Sequence, residues 1–172
     1  RIEMLAELAR LKYTITIAGT HGKTTTTSMT SMILDEGGFD PTIVIGGKLK
    51  NLKTNARLGK GEYIIAEADE SDGSFLKLSP VLTIVTNIDN DHLDYYGSMD
   101  NLKQAFIKHI NSLPFYGCAM VCTDSPLVKE VLPYATRKYI TYGFKGNPDI
   151  TATDITVVNG NTEYTVIYKG KK

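Results

Sequence analysis

Three short strings in this chain put charged and hydroxyl side chains at spacings that suit phosphate chemistry. They are G-T-H-G-K-T-T at Gly19 to Thr25, E-A-D-E-S-D at Glu67 to Asp72, and N-I-D-N-D-H-L-D at Asn87 to Asp94. In the first, glycines let backbone N–H groups converge without side-chain interference. A following helix start adds unpaired donors and a partial positive charge, and Lys23 adds a full one. Such a loop suits a phosphate, and Thr24, directly after the lysine, stands where nucleotide-binding loops place a magnesium ligand. A polyphosphate carries more charge than one lysine offsets, so hard oxygen ligands for a divalent cation are expected nearby, with Thr24, Glu67 and Asp91 as candidates. A lone histidine is usually structural, but His92 joins them because it sits in an N-x-x-x-D-H-x-D string at a strand end. His21, inside the loop, is expected to line the site without moving a proton.

Each string needs an element that ends where it begins. Thr14 to Ala18 is a β-branched, apolar run that fits a buried strand, and beyond the glycines Met29, Met32 and Ile33 share one face of a helix. Four consecutive threonines make a poor helix by propensity, so context must impose it. Gly37-Gly38 then supplies a stop. Tyr63 to Ala66 and Val81 to Thr86 read as strands leading into the two acidic strings. Thr42 to Ile45, Cys118 to Cys122 and Lys138 to Tyr142 read as further strands. Ligands of an open α/β sheet gather at the carboxyl ends of its strands, so all three strings are expected on one edge.

The remaining elements are scaffolding. Arg1 to Leu11 carries Ile2, Leu5, Leu8 and Ala9 on one face of a leading helix. Ser98 is placed to cap a helix whose apolar stripe is Met99, Leu102, Phe106, Ile110 and Leu113, with His109 expected at its surface. Asp124 is expected to cap a short helix with Pro126 in its first turn. From Ile150 two alternating runs flank Asn159-Gly160-Asn161, a hairpin signal. Gly46 to Gly61, with Lys48, Lys50, Lys53, Arg57 and Lys60, is either a solvated loop or a face toward an anionic substrate. The fold class is α/β: a mostly parallel, P-loop-type sheet flanked by helices, with a C-terminal β-hairpin.

Composition narrows the partners. The 172 residues are 42% hydrophobic and 22% charged, an ordinary globular balance for one domain. Lys plus Arg equals Asp plus Glu at 19 each, so no global field favours nucleic acid or a membrane surface, and the anion site must be local. Cys118 and Cys122 are too few for a disulfide framework and lack zinc spacing, which fits buried thiols in a reducing compartment. There is no signal peptide and no apolar run of about 18 residues, so a cytoplasmic protein is expected.

The glycine loop departs from G-x-x-x-x-G-K-[ST], which would need glycine at Ile17; only two residues separate Gly19 from Gly22-Lys23. This shortened form resembles the ATP loop of the Mur ligases and their folylpolyglutamate synthetase relatives, which are ATP-dependent amide ligases. E-A-D-E-S-D-G-S-F-L at Glu67 to Leu76 and T-N-I-D-N-D-H-L-D-Y-Y at Thr86 to Tyr96 extend the resemblance to that family's central ATPase domain. The likeness runs from the first helix through Thr141-Tyr142-Gly143 and into the hairpin.

The resemblance implies that Gly19, Thr20, His21, Gly22, Lys23, Thr24 and Thr25 bind the phosphates of ATP. It implies that Thr24, Glu67 and His92 hold two Mg2+ ions, and that Lys23, Glu67 and His92 carry the catalysis. The implied substrates are UDP-N-acetylmuramate and L-alanine, joined through an acyl phosphate. Several family members carry a carbamylated lysine one helix after D-H-x-D, where this chain has Phe106, with Lys103 and Lys108 out of register; that favours the alanine-adding branch. A murein-peptide recycling ligase would show E-A-D-E-Y-D, against Ser71 here. A P-loop nucleotide-binding module without ligase chemistry would have no need of the Glu67 and His92 clusters. With 18 residues before Gly19 and 29 after Gly143, residues 1–172 are expected to form one incomplete central domain. The family's UDP-binding and carboxyl-terminal domains, and its later H-N-x-x-N segment, are expected outside it.

Overall fold

Apolar runs without polar alternation fit strands covered on both faces, and here they form the centre of the sheet. In the computed structural model, which describes residues 2–46 and 56–171, β1 (Tyr13–Ala18) lies between β4 (Tyr63–Ala68) and β5 (Leu82–Val85), all parallel. Beyond β4 come β2 (Thr42–Val44) and the short β3 (Ala56–Arg57). Beyond β5 come β6 (Cys118–Cys122), β7 (Tyr139–Tyr142), β8 (Ile150–Val158) and β9 (Asn161–Tyr168). Only β3 and β9 run antiparallel to their neighbours among the described strands. The expected mostly parallel sheet and C-terminal hairpin are both present. Lys48, Lys50 and Lys53 of the basic loop lie outside the described residues.

Helices α1 (Ile2–Arg10), α4 (Met99–Asn111) and α5 (Pro126–Val131) cover one face over a core that includes Phe75, Leu102, Phe106, Ile110 and Val121. Helix α2 (Lys23–Glu36) covers the other, where Leu34 packs against Ile15, Ile17 and Ile65. The predicted α4 stripe holds, and Ser98 caps it by accepting from the Asn101 N–H at 3.2 Å. Phe106 is fully buried, and Lys103 pairs outward with Asp100 and Glu130.

Several expectations are corrected. Met29, Met32 and Ile33 face outward, more than half exposed, and α2 instead buries Thr27 and Ser31 against β1 and β4. These small side chains permit close approach, and Ser31 Oγ satisfies itself by donating to the Thr27 carbonyl at 2.7 Å. In α1 the buried residues are Ala6 and Ala9, while Leu8 is exposed; the Ile2 side chain lies outside those described. Ser125, not Asp124, precedes α5. Asp124 accepts from the Phe144 and Lys145 N–H groups at 2.8 and 2.9 Å, tying down the turn after β7. Both cysteines are free, with Cys118 buried and Cys122 half-buried.

His109, expected at the surface, is completely buried. Its ring stacks on Phe75 at 4.9 Å, and Nε2 lies 3.0 Å from Thr83 Oγ1 and 3.3 Å from Thr16 Oγ1. The amphipathic pattern of α4 hid this, because a polar letter beside the apolar stripe reads as outward. Two strand hydroxyls beneath the helix give the ring its place inside.

Candidate active site

The carboxyl ends of β1, β4 and β5 lie side by side, so the three strings converge as expected. Gly19 leaves β1 at φ +131°, and a Cβ there would collide with Thr86 Oγ1 and come within 2.8 Å of the Asn87 carbonyl oxygen. Only glycine allows this approach. Gly22 sits before α2 at φ +83° with open space around it, so its requirement is conformational. The α2 start has neither a side-chain cap nor an acidic residue in its first turn. Its N–H groups and partial positive charge therefore remain available to an anion.

The end of β5 clamps the loop. Asn87 Oδ1 accepts from the His21 N–H at 2.9 Å, and Asn87 Nδ2 donates to the His21 carbonyl at 2.9 Å. Thr86 Oγ1 donates to that same carbonyl at 2.7 Å. Thr20 is buried; its N–H donates to the Asn87 carbonyl at 3.1 Å, and its hydroxyl accepts from the Asp89 N–H at 2.9 Å. Thr20 thus anchors the loop. The His21 side chain is exposed, 3.6 Å from Asp89 Oδ2, and Thr24 and Thr25 are exposed on the first turn of α2.

Lys23 is not extended into open solvent. Its Nζ donates to the Gly19 carbonyl at 2.8 Å, the Thr20 carbonyl at 3.4 Å and Glu70 Oε2 at 2.8 Å, with Asp69 Oδ1 at 3.8 Å. Glu70 has 0% exposure, and its other oxygen lies 3.7 Å from His92 Nε2. Glu70 thereby links Lys23 and His92, although sequence reasoning singled out Glu67 in its string. The available signal was chemical: a charge at a strand end that is to be buried needs a counter-ion, and Lys23 is the cation the loop supplies.

Glu67 lies within β4, opposite Ile17 of β1, one residue deeper than expected. Its Oε1 is buried without a hydrogen-bond partner, and a Cβ at Gly46 would come within 2.8 Å of Oε2. His92 is held at φ +57° at the start of α3 (Leu93–Tyr96), and its N–H donates to Asp91 Oδ1 at 2.8 Å. Among the described residues no three His, Cys, Asp or Glu side chains form a metal cage. Magnesium does not require one, since it keeps several waters and takes one or two carboxylates together with substrate phosphates. The unpartnered Glu67 oxygen, on the strand next to β1, which leads into the Thr24 helix, fits that mode of binding.

A cleft of about 460 Å³ adjoins the loop, lined by Thr86, Asn87, Asp89, Cys122, Ser125 and Leu127. A groove of about 650 Å³ lies at the opposite, amino-terminal end of the strands, around Lys12, Tyr13 and Tyr116. There the Lys12 ammonium is already engaged by Thr42 Oγ1 and the Gly59 and Gly61 carbonyls. The glycine loop and the uncapped α2 start lie at the other edge.

Comparison with known proteins agrees with this geometry. The description of the Mur ligase middle domain matches residues 17–172. The chain belongs to the Mur ligase family. The UDP-N-acetylmuramate–L-alanine ligase of Endomicrobium trichonymphae is 67% identical over 172 residues, 100% of this chain and 38% of that protein. That of Geobacter sulfurreducens is 56% identical over 171 residues, 99% of this chain and 37% of that protein. The chain thus spans less than two fifths of the length of these relatives. The structure of UDP-N-acetylmuramate-alanine ligase MurC from Thermotoga maritima superposes with a TM-score of 0.83 at 26% identity, over 98% of this chain and 37% of that one. MurF ligase from the same organism, solved in complex with ADP, shares the fold with a TM-score of 0.76 at 19% identity, over 99% of this chain and 43% of that one. Among the described residues of this Mur ligase middle domain, no helix is long and apolar enough to cross a membrane.

Proposed function

We propose that this chain is the ATP-binding middle domain of a cytoplasmic ligase of cell-wall peptidoglycan synthesis that joins L-alanine to UDP-N-acetylmuramate. The observation that carries the reading is the uncapped α2 start with Lys23 beneath it, converging with the Glu67 and His92 segments on one sheet edge. The identity to ligases of that name supports the choice of substrates. Ser71 and these identities favour it over a murein-peptide recycling ligase. The remaining length of the relatives is where domains for the UDP moiety and the amino acid would lie.

In this reading the muramyl carboxylate attacks the γ-phosphorus of ATP, breaking the bond to the ADP oxygen and forming an acyl phosphate. The amine of L-alanine then attacks the acyl carbon, phosphate leaves, and the amine gives up a proton. No covalent bond to the protein is needed, so the chain's work is placement and charge stabilisation. The N–H groups of Lys23, Thr24 and Thr25 bind phosphate oxygens, and the Lys23 ammonium offsets charge on the transferred group. Thr24, Glu67 and His92 would hold Mg2+, which when bound supplies Lewis-acid charge neutralisation at the phosphates. Asn87 and Thr86 keep the loop open and in register. The test is phosphate release by the full-length protein with ATP, Mg2+, UDP-N-acetylmuramate and L-alanine. Release that requires both acceptors supports the reading, and release indifferent to them would reduce the domain to a nucleotide-hydrolysing module.

A further inference from the structure

An ionised carboxylate without solvent contact is costly unless its partners replace water, which makes Glu70 the least expected side chain at this edge. It is 0% exposed. One oxygen accepts from Lys23 Nζ at 2.8 Å; the other has no hydrogen-bond partner and lies 3.7 Å from His92 Nε2. The backbone at Glu70 is fixed as well. Its carbonyl accepts from the Tyr96 hydroxyl at 2.6 Å and from the Gly73 N–H at 3.0 Å. Burial, and secondly the charge of Glu70, push that hydroxyl up to about 12, so it stays a donor at neutral pH.

Lys23 is meanwhile fully occupied. Its three protons are matched by the Gly19 carbonyl, the Thr20 carbonyl and Glu70. A phosphate can displace the two carbonyls, because the ammonium gains charged acceptors in exchange for neutral ones. Glu70 is different, since releasing it would strand a buried charge. The ammonium that meets the phosphate is therefore one still tethered to Glu70, in a place that Glu70 defines.

We propose that Glu70 is a positioning residue for the phosphoryl-transfer step, holding Lys23 on one carboxylate oxygen while the other faces His92 at 3.7 Å. The inference rests on the phosphate-cradle reading above. It has a consequence opposite to that of a plain binding residue. Glu70 partly neutralises Lys23, so it does not strengthen ground-state attraction for a polyanion; its contribution lies in where the cation stands when charge shifts in the transition state.

The experiment is steady-state kinetics of the full-length protein with ATP as the varied substrate, comparing Glu70→Gln, Glu70→Asp and Lys23→Ala, with urea unfolding of each. Glu70→Gln keeps the shape and removes the charge. Its kcat is expected to fall at least ten-fold while KM for ATP stays level or drops. Glu70→Asp keeps the charge on a stem one methylene shorter, and its kcat is expected between those of Glu70→Gln and wild type. A merely structural role would lower the unfolding midpoint without this split between kcat and KM. Wild-type kcat in Glu70→Gln, or a raised KM with kcat unchanged, would overturn the proposal. Should Glu70→Gln fail to fold, Glu70→Asp decides: a lowered kcat at level KM supports the proposal and wild-type kinetics refute it. Full turnover by Lys23→Ala would instead refute the phosphate-cradle reading, so the two failures are distinguishable.

Discussion

Replacing His109 by leucine should remove an acid sensitivity that the wild-type domain carries in its core. Burial alone pushes the folded ring down from 6.5 to about 4, whereas in the unfolded chain it titrates near its ordinary value. The folded state thus binds fewer protons between these limits. Stability is fully present above about 6.5 and is lost as pH falls toward about 4. At pH 5 the unfolded histidine lies about 1.5 pH units below its own value, and at about 1.36 kcal/mol per unit the loss relative to pH 7.5 is about 2 kcal/mol. The assay is urea unfolding of both proteins at pH 7.5 and pH 5. His109→Leu should lose roughly 1 to 3 kcal/mol at pH 7.5, because the stacking on Phe75 and the contacts to Thr16 and Thr83 go with the ring. Its fall between pH 7.5 and pH 5 should nevertheless be about 2 kcal/mol smaller than that of wild type. Parallel decline of the two proteins would refute the argument.

Three further outcomes are expected. Gly19→Ala should cost roughly 1 to 3 kcal/mol in urea unfolding and abolish nucleotide-dependent turnover, since φ +131° and the collision with Thr86 leave no room for a methyl group. Asn87→Ala should raise KM for ATP about ten-fold with a small change in unfolding midpoint, because each of its two hydrogen bonds to His21 is worth about 1 kcal/mol; an unchanged KM would show that the clamp is idle. Lys23→Ala should lose roughly 3 kcal/mol of stability by stranding Glu70, and adding Glu70→Gln should recover most of it by removing the buried charge. Additive losses in that double variant would show that the pair is uncoupled.

The parallel sheet was legible because Thr14 to Ala18, Tyr63 to Ala66 and Val81 to Thr86 are runs whose periodicity allows little else, and each stops at a string of polar or glycine residues. The convergence of the strings followed from the topology of open sheets. What escaped was decided by partners distant in sequence. His109 and Glu70 are polar letters with surface propensities, buried only because Thr16, Thr83 and Phe75 accommodate one and Lys23 the other. The outward methionines of α2 misled in the opposite sense, since the small Thr27 and Ser31 give closer packing, with the Ser31 hydroxyl satisfied inside the helix by the Thr27 carbonyl. Asp124 had the right type for a cap but found the backbone of the turn after β7.

The placement of a nucleotide's phosphates at the α2 start is open to direct observation by backbone amide chemical shifts. The 172-residue chain would be titrated with Mg2+ and a non-hydrolysable ATP analogue, alone and as the Lys23→Ala variant. The largest shifts are predicted at Gly22, Lys23, Thr24 and Thr25, with a secondary response at Glu70 through its contact with Lys23, and they should weaken strongly in the variant. Shifts centred instead on the groove around Lys12, Tyr13 and Tyr116, with the loop amides unmoved, would contradict it.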